Sequence, residues 1–469
     1  MNRRDFLVRT SAAVGAAALA RSAVSAPQGT AKPNVIWLIA DQMRAQAIAC
    51  NGDPNVRTPN IDRLSATGIN FERARSGDPL CSPFRGTMLT SRYPHHMVPG
   101  HEYPLPDNQP TIANVFNDAG YHTAYFGKWH LDGYHESQGR AAFHIVPPHR
   151  RGGFKTWIGY DNNNSPWDCW VHGGGGKDDA TPHKLSGYET DALTDLLIQH
   201  VKDPARKETP FFAVLSVQPP HNPYVAPAEY MSHYNGEQLK LRPNVPPIVA
   251  VEKRARRELA GYYAQIENWD TNIGRVIDAL SETGLLTNTH IMVFSDHGDQ
   301  HGSHGQFLKT NPYEESTRIP MILSGEQSFY DRGTMRSDAC FAPVDIAPTT
   351  LGLCGITAPS WMEGYDYSWK RYNRKPARPE PDSAYLQLVV PTGHGDSINT
   401  PWRGIVTRDG WKYACFANQS WMLFNLNEDP YELANLAFNA RYKTERRKLI
   451  ARLKQWVADT DDKFAIPAD

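Results

Sequence analysis

A chain of 469 residues is longer than one small core requires and predicts a large domain with a smaller companion. Hydrophobic residues at 40% and charged residues at 21% exclude a disordered chain. A formal net charge of −1 excludes a global field that steers the chain to nucleic acid or an anionic membrane, so an anionic ligand has to be captured by local cations.

Residues 1–26 read as an address. Arg3 and Arg4 precede Asp5-Phe6-Leu7, the arrangement of a twin-arginine export signal; an Ala-rich apolar stretch follows over about 12–20, and Val24-Ser25-Ala26 fits a cleavage site. That stretch falls short of the roughly 20 residues that span a bilayer. The mature chain is therefore expected to have no transmembrane segment, to use the twin-arginine export machinery, and to be exported, periplasmic or extracellular. Nucleic acid is not an expected partner.

Three apolar runs follow, each ending in polar residues of chemical interest. Residues 35–40 end at Asp41; 211–217 lead through Gln218-Pro219-Pro220 to His221; 291–295 end at Asp296-His297. Continuous apolar runs of this length predict central strands buried on both faces. Helical patterns over 188–201 and 255–280 lie between them, so the fold expected is α/β, a doubly wound, mostly parallel sheet flanked by helices. Ligands of such sheets sit outside the carboxyl ends of the strands. A single strand-end carboxylate reads as a helix cap, but three polar strand ends together predict one shared metal site.

The stretch 154–183, with Trp157, Trp167, Trp170 and His172, predicts a long loop at the mouth of that site. Residues 375–381 are Pro-rich and read as a linker. Strand-like runs over 384–390, 404–407 and 411–416, with a helix over about 441–458, predict a smaller α+β subdomain. The expected division is an export signal over 1–26, a catalytic domain over 27–380 and the subdomain over 381–469. Six cysteines, at 50, 81, 169, 340, 354 and 415, lack zinc-ligand spacing, and their spacing identifies no disulfide.

The sharpest motif is Cys81-Ser82-Pro83-Phe84-Arg85, continuing to Leu89 and then Thr90-Ser91-Arg92. Pro83 suits the first turn of a helix, and Cys81 and Arg85, four apart, share a face near its positive end. The run resembles the signature of the type I sulfatases, formylglycine-dependent enzymes of the alkaline-phosphatase-like superfamily. Phe84 departs from the small residue common there. Asp41-Gln42 resembles the family's aspartate pair with an amide in second place, and Gly127-Lys128-Trp129-His130-Leu131 resembles its G-K-W-H-L motif. In an extended segment Lys128 and His130 share a face. Pro219-Pro220-His221 resembles its P-P-H motif, and Asp296-His297-Gly298 its later metal motif, with histidine where many relatives have asparagine. The stretch around Lys309 resembles the one carrying another active-site lysine, and Asp429-Pro430-Tyr431-Glu432 its D-P-x-E turn.

The resemblance implies hydrolysis of a sulfate monoester, on a sulfated small molecule or oligosaccharide. It implies that a formylglycine-generating maturation enzyme converts Cys81 to an aldehyde. Asp41, Gln42, residue 81, Asp296 and His297 would hold a divalent metal, calcium by expectation, with manganese the alternative that His297 raises. Arg85, Lys128 and Lys309 would neutralise the sulfate. His221 would protonate the leaving alcohol and His130 take a proton from the second hydroxyl of the hydrated aldehyde. Two other readings fit the same residues: a phosphonate, phosphate or choline-sulfate-type ester hydrolase on the same fold, or a non-catalytic binding protein with unmodified Cys81.

Overall fold

A computed structural model describes residues 32–325, 335–372, 374–393, 395–396 and 398–468. The expected export signal lies outside these residues. In chain order the strands are β1 (Asn34–Ala40), β2 (Ile69–Phe71), β3 (His122–Lys128), β4 (Thr156–Tyr160), β5 (Trp170–Gly173), β6 (His183–Lys184) and β7 (Phe211–Val217). Then come β8 (Thr289–Ser295), β9 (Met321–Gly325), β10 (Met335–Ser337), β11 (Ser383–Leu388), β12 (Trp402–Thr407), β13 (Trp411–Phe416) and β14 (Gln419–Asn425).

Among the described residues the first ten strands form one sheet, in the order β10-β2-β9-β8-β1-β7-β3-β4-β5-β6. The five strands from β8 to β4 in that order are parallel. Antiparallel β9 on one side and β5 on the other make the sheet mixed toward its edges. β1 is central and wholly buried. Because side chains alternate along a strand, Val35, Trp37 and Ile39 pack with Phe84 and Met88 of the helix Cys81–Thr90, while Ile36, Leu38 and Ala40 pack with Leu193 and Trp269 from the helices Glu189–Lys202 and Val249–Glu282. Helices on both faces are what makes the strand apolar throughout. Each Val, Leu, Ile, Phe or Met among them contributes about 1.5–3 kcal/mol on burial.

β11 to β14 form an antiparallel meander. One face packs Tyr385, Ile405 and Tyr413 on Leu449, Ile450 and Leu453 of the helix Lys443–Asp459. The loop expected over 154–183 carries strands as well as irregular segments: β4 pairs beside β3, and β5 and β6 complete that edge. Its aromatic rings divide accordingly. Trp157 is buried and Trp167 is 49% exposed, its ring edge-on to Tyr188 at 5.1 Å. None of the six cysteines is paired with another. No described helix is long and apolar enough to cross a membrane.

Candidate active site

Parallel neighbours end on the same edge of a sheet, so β8, β1, β7 and β3 deliver Asp296, Asp41, the turn to His221, and Lys128 to one place. The helix Cys81–Thr90 points its first residue at them. Cys81 Sγ lies 3.1 Å from His297 Nε2, 3.2 Å from Lys309 Nζ and 3.7 Å from Asp41 Oδ1. Asp41 Oδ2 accepts from Lys128 Nζ at 2.8 Å and from Arg85 at 3.1 Å. Arg85 also reaches Asp296 Oδ2 at 3.4 Å, and its other nitrogen donates to Ser216 Oγ and the Lys128 carbonyl.

Burial alone would raise the Asp41 carboxyl, but the charges of Lys128, Arg85 and Lys309 outweigh it and hold Asp41 well below the usual carboxylate range. Asp296 goes the other way. Burial, and then the charge of Asp41 beside it, push Asp296 up to about 6. Burial takes His297 down to about 4, so its ring is neutral. His297 Nδ1 faces the Gly298 carbonyl at 3.1 Å, which keeps the proton there and leaves Nε2 as a lone pair toward Cys81. Two carboxylates, this imidazole and the Cys81 sulfur converge within 4.8 Å of one another. With the Gln42 carbonyl oxygen nearby, that donor set fits a divalent metal ion.

Above these groups opens a cavity of about 210 Å³. Of the residues predicted from sequence, Gln42, Cys81, Lys128, His130, His221 and Lys309 line it, whereas Asp41, Arg85, Asp296 and His297 lie beneath. Arg85, with no exposed side-chain surface, thus backs the carboxylates and does not face the cavity. His130 shares the cavity with Lys128 by a route other than an extended strand: its φ is 54°, and its N–H donates to the Asp161 carbonyl at 2.7 Å.

Both cavity histidines are kept neutral. Burial, then the charge of Lys309, hold His221 well below the ordinary imidazole value; burial, then Lys128, do the same for His130. His221 Nδ1 sits 2.8 Å from the Asn222 carbonyl, so the proton resides there and Nε2 is the free nitrogen.

Sequence reasoning missed the mouth. His101, Glu136, Asn162, Asn164 and Asn222 line it, with Leu308. Glu136 Oε1 accepts from the amides of Asn162 and Asn164 at 2.6 and 2.7 Å. The available signal was the triple asparagine that follows Asp161 after β4, at the carboxyl end of a strand adjoining β3. Asp299 was missed too: it lies behind Gln42, and its carboxylate accepts from the Gln42 amide at 2.6 Å. A larger cavity, about 540 Å³, lies between Tyr385 and Trp456 of the C-terminal elements and Tyr365, and none of the predicted site residues lines it.

The sulfatase family model matches residues 33–356, and the model for the N-sulphoglucosamine sulphohydrolase C-terminal region matches residues 302–459. The ulvan-active sulfatase of Formosa agariphila is 34% identical over 451 residues, which cover 92% of this chain and 82% of that protein. The endo-4-O-sulfatase of Bacteroides thetaiotaomicron is 29% identical, covering 86% and 88%. Among solved structures, the protein named sulfatase yidJ from Bacteroides fragilis superposes with a TM-score of 0.81 at 28% identity, over 94% of this chain and 98% of that one.

Proposed function

The chain belongs to the sulfatase family and hydrolyses sulfate monoesters; from that premise we propose that its substrate is a sulfated carbohydrate and that Cys81, matured to formylglycine, is the nucleophile. The observation that carries this reading is the convergence of Lys128 and Lys309, through their contacts with Asp41 and Cys81, on the first residue of a helix at the floor of the cavity. The helix dipole and two ammonium groups fix one anion there. The mouth, rich in carboxamides and a carboxylate, exchanges hydrogen bonds with hydroxyl groups, which suits a sugar as leaving alcohol. The relatives named for ulvan and for endo-4-O action support the same class.

Formylglycine supplies, when hydrated, one hydroxyl to attack sulfur and a second whose deprotonation lets sulfate depart. Asp41, Gln42, residue 81, Asp296 and His297 would hold a divalent metal, calcium by our reading, which supplies Lewis-acid polarisation of the sulfate. The chain's own groups do the rest. Lys128 and Lys309 bind and orient the sulfate. His221, with Nδ1 anchored on Asn222, presents Nε2 to the bridging oxygen; it takes up a solvent proton on Nε2 when the anionic sulfate binds beside it, and passes that proton to the leaving alcohol. His130, whose Nδ1 has no hydrogen-bond partner among the described residues, takes the proton of the second hydroxyl.

The test pairs mass analysis of the Cys81 peptide with assays on nitrophenyl sulfate and a nitrophenyl phosphonate ester. Enzyme made beside a formylglycine-generating enzyme is expected to carry the aldehyde and prefer the sulfate, and Cys81→Ala to be inactive. A free thiol in fully active protein, or a preference for the phosphonate, would overturn the reading.

A further inference from the structure

Every polar group of Gln42 has a fixed partner. Its backbone turns left-handed directly after β1, at φ 68°. Its N–H donates to Asp296 Oδ1 at 2.9 Å, and its carbonyl accepts from the Tyr262 hydroxyl at 2.9 Å. In the side chain, Nε2 donates to Asp299 Oδ2 at 2.6 Å and Oε1 accepts from Lys309 Nζ at 2.9 Å. Turning the amide over would set its NH₂ against an ammonium and its carbonyl against a carboxylate. Only one orientation survives.

Asp299 fixes that orientation from behind. It is fully buried, and both its oxygens are saturated. Oδ2 accepts from Gln42 Nε2 and from the Tyr224 hydroxyl at 2.6 Å; Oδ1 accepts from the backbone N–H groups of His301 and Leu308 at 3.0 and 3.1 Å. All of these partners are donors. An ionised carboxylate, acceptor at both oxygens, suits them, whereas an amide there would turn its NH₂ either against the Gln42 NH₂ or against the two backbone N–H groups.

We propose that Asp299 is a positioning residue that aims the Gln42 carbonyl oxygen at the metal position beside Cys81, and that position 42 carries an amide because Asp299 stands behind it. This rests on the metal reading given above. A carboxylate at position 42 would supply a ligand oxygen, but its second oxygen would meet Asp299 in buried surroundings, where like charges repel strongly. The amide supplies the same ligand atom and an N–H for Asp299. The pair therefore works as a unit, and the Asp-Gln departure at residues 41 and 42 has a structural partner further along the chain.

The test is calorimetric titration of metal-stripped mature enzyme with Ca²⁺ and then Mn²⁺, without substrate. It uses wild type, Asp299→Asn, Gln42→Glu and the double variant, with circular dichroism to verify folding. Each single variant is expected to bind metal about 10–100-fold more weakly. In the double variant the new amide keeps its oxygen on the His301 and Leu308 N–H groups and turns its NH₂ to the new carboxylate. Affinity should then return to within about 10-fold of wild type, the low end of the single-variant loss. Losses that add, or single variants that bind as wild type does, overturn the proposal; a purely structural role for Asp299 would give no rescue. If Asp299→Asn does not fold, Gln42→Glu alone decides, since an added carboxylate should tighten calcium binding unless Asp299 opposes it. Metal binding is read without turnover, so the coupling stands or falls apart from the identity of the sulfated substrate. A wild-type protein that binds neither ion would overturn both this proposal and the metal reading, leaving the nucleophile assignment to its own test.

Discussion

His221 and Lys128 face one cavity but act on different atoms of an ester, and their substitutions should separate on that account. A general acid matters most when the leaving alcohol is poor, because a nitrophenolate departs unprotonated. His221→Ala is expected to slow hydrolysis of a sugar sulfate by roughly 10²–10⁴ while slowing a nitrophenyl sulfate far less. Lys128→Ala should weaken both alike, as loss of a contact to the sulfate would. Steady-state kinetics on the two substrates decide, and equal losses for His221→Ala would move the acid role to His130. At this scale the sequence was informative where a motif names the residue: Cys81, Lys128, His221 and Lys309 meet at one cavity, with Asp41 directly beneath. It was uninformative where a backbone turn decides direction. His130 reaches the cavity through a left-handed residue that an extended reading does not foresee, and Glu136 is recruited by two asparagines distant in sequence.

Lys309 stands between two left-handed residues, Leu308 and Thr310, at φ 60° and 78°. The C-terminal sheet helps to hold them. Trp402 of β12 donates its indole N–H to the Thr310 carbonyl at 2.8 Å. Lys412 of β13, buried, spans Glu314 and Glu432 at 2.6 and 2.8 Å, and Arg242 pairs with the neighbouring Glu315 at 2.7 Å. Burial alone would raise Glu315; the Arg242 guanidinium, with the Asn244 amide, outweighs it and holds the carboxyl down to about 2. A carboxyl depressed in the folded state adds stability above its ordinary value of 4.5 and loses it as pH falls toward 2. Arg242→Leu is therefore expected to cost about 2 kcal/mol near neutrality, and the difference from wild type should shrink across that acid window. Urea unfolding at a series of pH values measures it, and a difference that stays constant would place the cost elsewhere. Among the elements, β1, β7 and β8 were legible because strands buried on both faces leave unbroken apolar runs. The sheet edges were not. β14 begins with exposed Gln419 and half-exposed Ser420, and β5 and β6 sit in a Trp- and Gly-rich stretch whose pairing partners, not its composition, make it sheet.

The whole molecule follows from where those buried strands end. Five parallel neighbours lay their carboxyl ends along one edge, the flanking helix Cys81–Thr90 brings its positive end to the same edge, and the antiparallel borders finish the sheet without adding to the cavity floor. Long-range pairing also means that the site exists only once the central strands have paired, with β1 joined to β7 and β8 from far along the chain. The architecture holds together without a single sulfur crosslink, for all six cysteines stand apart from one another. Burial pushes the thiols of Cys50, Cys354 and Cys415 up to about 12 and that of Cys340 up to about 11, so they rest as inert S–H groups. The described fold therefore asks for no oxidative step among these cysteines. Its thermal midpoint should be the same with and without dithiothreitol, and native protein should resist iodoacetamide until it unfolds; a midpoint lowered by reductant would reveal a crosslink on which the fold depends.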